Sequence, residues 1–289
     1  MKELASLSGE ILAYENGQTA YSGAYLDAFS NLDQFFVNLA KKQSAKEYLF
    51  PSFLPVKELA KIDYFVSFPH LANFPVSLKD EGDNIKNFVA TGSTGCEGHL
   101  SLTETTAIEN ILTPAACYHF YVALKGKSYS EPQYYTTRNT CYRREKYYRS
   151  LERQWCFSMR EIVCIGTEQE VLQFLDFYRN IMLKLFDAIS LPIKLEHATD
   201  PFFQPLQDPK FIAQKLSPVK HEMIYKDSLA IGSLNFHRNY FGEAFEINAQ
   251  EEPAFSGCVA FGIDRWMFAC LEQFGPDQSK WPKWSALGL

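Results

Sequence analysis

Residues 142–161, with the sequence YRREKYYRSLERQWCFSMRE, are the stretch that most constrains the fold of this chain. The stretch begins with the pattern YRxE and ends with the pattern RxxxFxxxE, and a loop rich in arginine and aromatic residues joins two strand-like ends. Arginine carries a permanent charge on a planar group that matches phosphate, and Phe157 offers a flat face for stacking. The pattern therefore indicates a phosphate-binding hairpin, although a solvated basic hairpin would have a similar composition.

A second stretch, residues 257–267 with the sequence GCVAFGIDRWM, reads as a strand followed directly by a helix. Gly262 at the junction would let a ligand approach the backbone closely. Arg265 lies in the first helical turn, where the helix dipole also favours anions. The two stretches together predict a site for nucleotide phosphates.

These stretches resemble motifs 2 and 3 of class II aminoacyl-tRNA synthetases, which bind a bent ATP on an antiparallel sheet. Other segments narrow the resemblance to the amino acid:[carrier protein] ligases, truncated homologues of the atypical, zinc-dependent seryl-tRNA synthetases. The match is scattered over about residues 48–275. The segments that carry it are SFPHLANFP (67–75), TPAACYHFY (113–121), KHEMIYKDSLAIGSLNFHRNYFG (220–242) and SGCVAFGIDRW (256–266).

Local patterns predict the helices around the motifs. Apolar residues recur at helical spacing over 24–45. Thr167 and Glu170 form a capping box that should start a helix over about 168–189. Several prolines follow the first of these helices, and there we expect a short helix at 55–62 and then an extended stretch, DYFVSFP.

The remaining segments predict the sheet and the fold class. The β-rich segments are 136–142, 156–165, 222–236 and 257–262. A helix over 264–274 follows the last of them directly. This order predicts an α+β fold of the class II synthetase type, an antiparallel β-sheet flanked by helices. We expect one catalytic domain over 1–289, with an N-terminal helical segment of about 1–45.

Composition narrows the class of protein further. Of the 289 residues, 46% are apolar, and the formal charge is −6. A real hydrophobic core is therefore expected, and general binding of tRNA or DNA is disfavoured because the chain lacks a positive field. Apolar runs fall short of the roughly 18 residues of a membrane span, and the N-terminus lacks the layout of a signal peptide. We expect a cytoplasmic protein without a membrane partner.

The seven cysteines include no CxxC pair, so a disulfide framework is not indicated. In the resembled family two cysteines and one glutamate hold zinc, and the substrate amino group takes the open position. The matching residues are Cys117, Glu161 and Cys258. Two thiolates and a carboxylate suit zinc, and three protein ligands are typical of catalytic zinc. An alternative set combines Cys117 with His119 and Cys164, because residues i and i+2 point the same way from a strand.

The resemblance also implies roles in binding ATP. Arg143 would hold the α-phosphate, and Arg153 would reach the outer phosphates. Glu145 would accept a hydrogen bond from the adenine amino group. Phe157 and Arg265 would sandwich the adenine ring by stacking and a cation–π contact.

Two assignments stay open. Arg144 exchanges roles with Arg143 if the register of the loop shifts by one residue. Glu222 is our candidate ligand for Mg²⁺, and Asn235 is a candidate contact to Mg²⁺ or to the substrate. Residues 229–231 are apolar where tRNA-charging relatives place an acid, so other carboxylates remain candidates for Mg²⁺. They are Asp227, Glu243 and Glu246.

The implied activity is ATP-dependent activation of a small amino acid, typically glycine or alanine, with serine also open. The aminoacyl adenylate would pass to the phosphopantetheine thiol of a small acidic carrier protein. Arginines and Mg²⁺ suit adenylation, since positioning and charge neutralisation supply the catalysis of such displacements. Class II domains pair through motif 1, here the 50–75 segment, so we expect a two-fold homodimer.

Three alternative functions compete with this activity. A tRNA-charging synthetase needs a tRNA-binding module, but only about 45 residues precede the first matching segment. Those residues contain no heptads and no basic run, so we expect no tRNA partner. A non-enzymatic binding paralogue is disfavoured because the motif arginines and the metal set are intact. Transfer of the adenylate to another small acceptor is not distinguished by the sequence.

Overall fold

The structure is a computed structural model that describes residues 9–91, 100–206, 212 and 219–288. Cys96 lies outside these residues. The strands, in chain order, are β1 Ile11–Ala13, β2 Thr19–Tyr21, β3 Lys46–Tyr48, β4 Phe53–Pro55, β5 Asn110–Leu112, β6 Ser128–Tyr129, β7 Gln133–Tyr142, β8 Cys156–Gly166, β9 Ile193–His197, β10 Lys220–Tyr225, β11 Leu229–Arg238, β12 Asn248–Ala249, β13 Glu252–Pro253 and β14 Phe255–Gly262.

Helices pack on both faces of the largest of the four sheets that these strands form. They are α1 Gly23–Lys41, α2 Val56–Ala60, α3 Tyr64–Ser67, α4 Asn84–Thr91, α5 Tyr118–Ala123, α6 Glu168–Ile189, α7 Tyr240–Phe245 and α8 Ile263–Phe274. Short 3-10 turns cover Glu15–Gly17, Pro69–Leu71, Gln278–Lys280 and Trp284–Ala286.

A seven-stranded sheet in the order β3-β7-β8-β14-β11-β10-β9 forms the centre of the fold. Its neighbouring strands are antiparallel, except that β3 runs parallel to β7. The prediction of an α+β fold with an antiparallel sheet flanked by helices is confirmed. The assignment of residues 1–289 to one domain stays a prediction.

Alternation along β8 shows how the sheet separates two hydrophobic clusters. Ile162 and Cys164 pack with α1, α6 and α8 on one face, whereas Val163 and Ile165 pack with α2, α5 and α7 on the other. Successive side chains of a strand point to opposite faces, so this strand is buried on both sides. The second face also carries Cys117 and Cys258.

The helix over 168–189 and its capping box are confirmed. The Thr167 hydroxyl accepts a hydrogen bond from the Glu170 amide at 3.4 Å, and the Glu170 carboxylate accepts one from the Thr167 amide at 2.8 Å. The expected helix over 24–45 corresponds to α1, the helix at 55–62 to the shorter α2, and the helix over 264–274 to α8. These predictions hold because each helix has one face buried in the core.

Two local predictions are wrong. The stretch DYFVSFP is not extended, because Asp63 adopts a left-handed conformation (φ 50°) and α3 follows it. The rings of Tyr64 and Phe68, one helical turn apart, have centroids 5.6 Å apart and favour this turn. The N-terminal segment is not helical throughout either. β1 and β2 pair antiparallel, and Gly17 (φ 71°) permits the tight connection between them. We call residues 10–22 the N-terminal hairpin.

A buried ion pair fastens α1 to the sheet. The Arg160 side chain is 3% exposed and donates two hydrogen bonds, of 2.8 and 2.9 Å, to the carboxylate of Asp33. It also donates one of 2.7 Å to Glu47. Such a bidentate pair is favourable only while both partners are present.

Asp33→Ala is expected to lower the free energy of unfolding by about 3 kcal/mol, because it removes the bidentate partner of the buried Arg160 and leaves only the exposed Glu47 as an acidic partner. The matched change Asp27→Ala, at an exposed position of α1, should alter it by no more than about 0.5 kcal/mol. Urea denaturation of both variants measures the difference. Equal losses in the two would show that the pair does not stabilise the fold.

Within the described part of the chain, no helix is long and apolar enough to cross a membrane.

Candidate active site

A cavity of about 420 Å³ lies on the second face of the sheet. Strand register explains which side chains line it, because residues paired across antiparallel strands share a face. One cross-strand row consists of Glu222, Ser233, Ala260 and Glu161. The adjacent row consists of Lys220, Asn235 and Cys258. Five of the ten predicted site residues therefore reach the same cavity from strands that are distant in sequence, namely Phe157, Glu161, Glu222, Asn235 and Cys258.

At one end of the cavity, the structure brings together Cys117, Glu161 and Cys258. One ligand atom from each lies within 4.8 Å of the others, and all three residues are buried. Cys117 precedes α5, and its position is held by Glu161, whose Oε1 accepts hydrogen bonds from the amides of Ala116 (2.9 Å) and Cys117 (3.2 Å). The three predicted metal ligands thus converge on one point.

The chemistry of this donor set suits a metal ion. A hydrogen bond with Cys258, burial and the charge of Glu161 raise the pKa of the Cys117 thiol well above its ordinary value. A divalent cation among these groups would stabilise the thiolates instead. Two sulfur ligands and one carboxylate are a combination that zinc accepts, and three protein ligands leave room for a further one.

Polar groups surround the Cys258 thiol. The Asn235 amide donates hydrogen bonds to Cys258 Sγ at 3.2 Å and to the Ser233 hydroxyl at 2.9 Å. His237 Nε2 lies 3.6 Å from the same sulfur, and Nδ1 lies 3.0 Å from the hydroxyl of Tyr121. Burial lowers the pKa of His237 to about 4, so the imidazole is neutral at physiological pH. Asn235 therefore orients Cys258, one of the three predicted metal ligands.

The alternative metal set is wrong. Cys117 and His119 do not lie on a strand, because Cys117 is the residue before α5 and His119 lies within it. His119 Nε2 is 2.8 Å from the Thr113 hydroxyl, and the ring stacks on Phe50. Cys164 packs on the opposite face of the sheet.

Arg143 and Phe157 line the other end of the cavity, because Phe157 lies four residues before Glu161 on β8, about 13 Å away along the strand. The Arg143 guanidinium lies 5.3 Å from the centre of the Phe157 ring, and its Nε donates a 3.0 Å hydrogen bond to the carbonyl of Pro114. Both residues line the cavity. The neighbouring Arg144 is exposed and lies outside the lining, so the loop register favours Arg143 as the phosphate ligand.

Arg265 lies at the start of α8 and also lines the cavity. Its Nε donates to the carbonyl of Glu152 and its Nη1 to the carbonyl of Ala230, each at 2.7 Å. Burial and the nearby charges of Arg143 and Arg153 lower its pKa to about 10. This concentration of positive charge in a partly enclosed space favours an anionic ligand.

Glu145 and Arg153 lie close together at this end, but only Glu145 lines the cavity. Arg153 Nη1 donates to Glu145 Oε2 at 2.8 Å, and the guanidinium lies 5.0 Å from the centre of the Tyr147 ring. The structure therefore brings the other predicted ATP residues to the cavity but pairs Arg153 with Glu145 beside it.

The carboxylates proposed for Mg²⁺ are separated by the fold. Glu222 lines the cavity, with Lys220 Nζ 3.0 Å from its Oε1. The other three candidates, Asp227, Glu243 and Glu246, are exposed and outside the lining. Strand β10 points Glu222 inward, whereas Asp227 follows in the turn and the other two lie on or after α7.

The sequence did not reveal the role of Asp200 in this region. Asp200 Oδ1 lies 3.1 Å from Lys220 Nζ, so the lysine bridges Asp200 and Glu222. Burial opposes the charged form of Lys220, but the two carboxylates raise its pKa. Asp200 lies in an irregular segment after β9, where periodicity gives no signal, whereas the spacing of Lys220 and Glu222 on one strand could have indicated a shared face.

This chain is similar to known proteins both in sequence and in fold. Residues 101–274 match the tRNA synthetase class II core domain (G, H, P, S and T). The chain is 32% identical over 241 residues to amino acid–[acyl-carrier-protein] ligase 1 of Bradyrhizobium diazoefficiens, which covers 81% of this chain and 73% of that protein. It is 26% identical over 293 residues to the type-2 serine–tRNA ligase of Methanocaldococcus jannaschii, covering 92% of this chain and 54% of that one.

Among solved structures, the SerRS of M. kandleri in complex with A. aeolicus tRNASec has a TM-score of 0.81 and 21% identity, and it covers 98% of this chain and 58% of that chain. This chain therefore spans just over half the length of the serine–tRNA ligases that it matches, and the structural likeness supports the fold. The long match to a carrier-protein ligase and the class II core domain together show that the chain belongs to the amino acid–[acyl-carrier-protein] ligase family.

Proposed function

We propose that this chain activates a small amino acid with ATP and transfers it from the adenylate to the phosphopantetheine thiol of a carrier protein. The observation that carries the proposal is one cavity with two chemically different ends. Cys117, Glu161 and Cys258 converge at one end, and Arg143 and Arg265 line the other. An amino acid bound by its amino group near the first end would direct its carboxylate towards a nucleotide at the second.

The chain's own residues supply positioning and charge. Arg143 would neutralise the α-phosphate as the amino acid carboxylate attacks it, and Arg265 with Phe157 would hold the adenine ring. Glu145 would accept a hydrogen bond from the adenine amino group. Glu222 is the carboxylate that we assign to Mg²⁺, which class II enzymes of this kind need together with ATP. Asn235 would help to form the end of the cavity that binds the amino acid.

Zinc is the metal we propose for the donor set of Cys117, Glu161 and Cys258. When bound, it would supply a Lewis-acidic position for a neutral α-amino group. The set is buried among large rings, since Tyr118 and His237 both contact the ring of Phe241 near it. This enclosure favours glycine or alanine over amino acids with long side chains.

We further propose a small acidic carrier as the acceptor and a homodimer as the working unit. Exposed basic side chains of the loop between β7 and β8, namely Arg144, Lys146 and Arg149, offer local positive charge to an acidic partner. Exposed apolar residues of the 50–75 segment, among them Phe53 and Val66, favour pairing through that segment. The cytoplasmic location stays a prediction.

Glycine or alanine is expected to support amino-acid-dependent exchange of pyrophosphate into ATP in the presence of Mg²⁺ and zinc. A holo-carrier protein should then accumulate the amino acid as a hydroxylamine-sensitive thioester, and tRNA should remain uncharged. The apo-carrier, which lacks the thiol, is the matched control. Charging of tRNA while the holo-carrier stays empty would contradict the proposal, as would an absence of exchange with every small amino acid.

A further inference from the structure

The N-terminal hairpin lies against the loop that joins β7 and β8, residues 143–155, called here the motif 2 loop. The Trp155 amide donates a 3.1 Å hydrogen bond to the carbonyl of Asn16. A Cβ atom at Gly17 would lie only 2.7 Å from the carbonyl oxygen of Arg153, so the two backbones touch there. Because Gly17 has a φ of 71°, both the conformation and the contact require glycine.

A second contact joins the hairpin to the start of α8. The Tyr21 hydroxyl donates a 2.6 Å hydrogen bond to Asp264 Oδ1, and Asp264 Oδ2 accepts one of 2.6 Å from the Ser158 amide. Asp264 is 5% exposed, so each of these donors offsets the cost of a buried carboxylate. The Tyr21 ring packs on Phe29, with centroids 5.4 Å apart.

Both contacts involve direct neighbours of Arg265. This arginine follows Asp264 directly in α8, and its Nε donates to the carbonyl of Glu152 within the motif 2 loop. The hairpin therefore contacts both the first turn of α8, which carries Arg265, and the motif 2 loop, which accepts the hydrogen bond of Arg265. Contacts with loop and helix together define the direction of the guanidinium.

We propose that the N-terminal hairpin is a positioning element for the nucleotide end of the cavity, with Tyr21 acting through Asp264 and Gly17 acting through the motif 2 loop. The inference rests on the proposed function, since it takes the ligand of Arg265 to be ATP. Among the described residues that line the cavity are Asp264, Arg265 and several residues of the motif 2 loop but neither Tyr21 nor Gly17, so these two act through their neighbours. The metal end, formed by Cys117, Glu161 and Cys258, should not depend on them.

Tyr21→Phe keeps the ring that packs on Phe29 and removes only the donor to Asp264. We expect the Kd for ATP, measured by calorimetry, to rise about tenfold, as for loss of one hydrogen bond to a charged group. The KM for ATP in pyrophosphate exchange should rise in parallel, while the KM for the amino acid and the zinc content stay at wild-type values. Tyr14→Phe, at an exposed position of the same hairpin, is the control and should change none of these.

Gly17→Ala tests the second contact. It should weaken ATP binding by at least about tenfold, because the loop must move away from the added methyl group. Gly126→Ala is the matched control, since Gly126 has the same φ of 71° but no atom of the described residues within 4 Å of its added Cβ. It introduces the same backbone strain without the collision and should leave the Kd for ATP unchanged.

The outcomes separate this inference from the proposed function. If the wild-type protein does not bind ATP, the proposed function fails and the inference with it. If the wild type binds ATP, a Tyr21→Phe variant with an unchanged Kd for ATP overturns the inference alone. A rise in the KM values of ATP and the amino acid together, with loss of zinc, would also overturn it, because it would show a general structural role.

Discussion

Replacing Cys117 or Cys258 by serine is expected to lower the zinc content from about one ion per chain towards zero and to abolish amino acid activation. Serine has nearly the same size as cysteine but is a poor ligand for zinc, which prefers the softer thiolate. Both sulfurs lie within 4.8 Å of the Glu161 carboxylate, so the loss of either leaves two buried donors. Elemental analysis and pyrophosphate exchange measure the two effects.

ATP binding should survive these changes, because Arg143 and Arg265 lie at the other end of the cavity. Cys164→Ser is the matched control. It removes an equally buried thiol on the opposite face of the sheet and tests the rejected metal set. It should cost about 1–3 kcal/mol of stability and leave the zinc content unchanged. A fully active wild-type protein without stoichiometric zinc would refute all three ligand assignments.

Arg143→Ala is expected to reduce the rate of pyrophosphate exchange by at least about 10³-fold, since arginines that stabilise transferring phosphoryl groups contribute that much or more. The side chain donates one hydrogen bond to the carbonyl of Pro114 and otherwise faces the cavity and Phe157. The melting temperature should therefore change little. Single-turnover formation of the adenylate locates the defect in the chemical step.

Arg144→Ala is the control for that experiment and settles the loop register. Arg144 is exposed and lies outside the cavity lining, so the variant should keep at least half of the wild-type rate of adenylate formation. A normal rate in Arg143→Ala, or a collapse of the rate in Arg144→Ala, would remove Arg143 from the site and favour a register shifted by one residue.

Elements with a long, regular pattern could be predicted from the sequence. Helix α6 extends over the predicted residues, because Thr167 and Glu170 cap its start and its apolar face packs on the core. Strand β8 and helix α8 were predicted to within one or two residues. In each case the signal is local, since burial of one face repeats along a single segment.

The short elements were harder to predict. The left-handed Asp63 and the helical turn of α3 depend on how Tyr64 packs in the hydrophobic cluster that contains Val163 and Ile165. The sequence DYFVSFP alone favours an extended chain. Residues 11–21 form a hairpin because two very short strands pair with each other, and three residues are too few for periodicity to show.

The candidate site likewise combines residues that the sequence could identify with contacts that only the tertiary structure shows. The sequence, through its family resemblance, was enough to name Cys117, Glu161 and Cys258. Strand register places Glu161 and Cys258 on one face of the sheet, and a hydrogen bond from the Cys117 amide to Glu161 holds Cys117 beside them. For the predicted ATP residues, in contrast, the structure leaves Arg153 outside the cavity lining, where it pairs with Glu145. The sequence pattern that names Arg153 does not distinguish it from the residues that line the cavity.

By itself, the sequence determined the long elements, because their signals lie in neighbouring residues, and its resemblance to a known family implied the fold class and the residues of the two ends of the cavity. Only the tertiary structure decided that Lys220 bridges Asp200 and Glu222, and that Tyr21 donates to Asp264, 243 positions further along the chain. Such pairs form where strand register and helix packing bring distant segments within about 3 Å, the reach of a hydrogen bond. A local pattern carries no information about that distance.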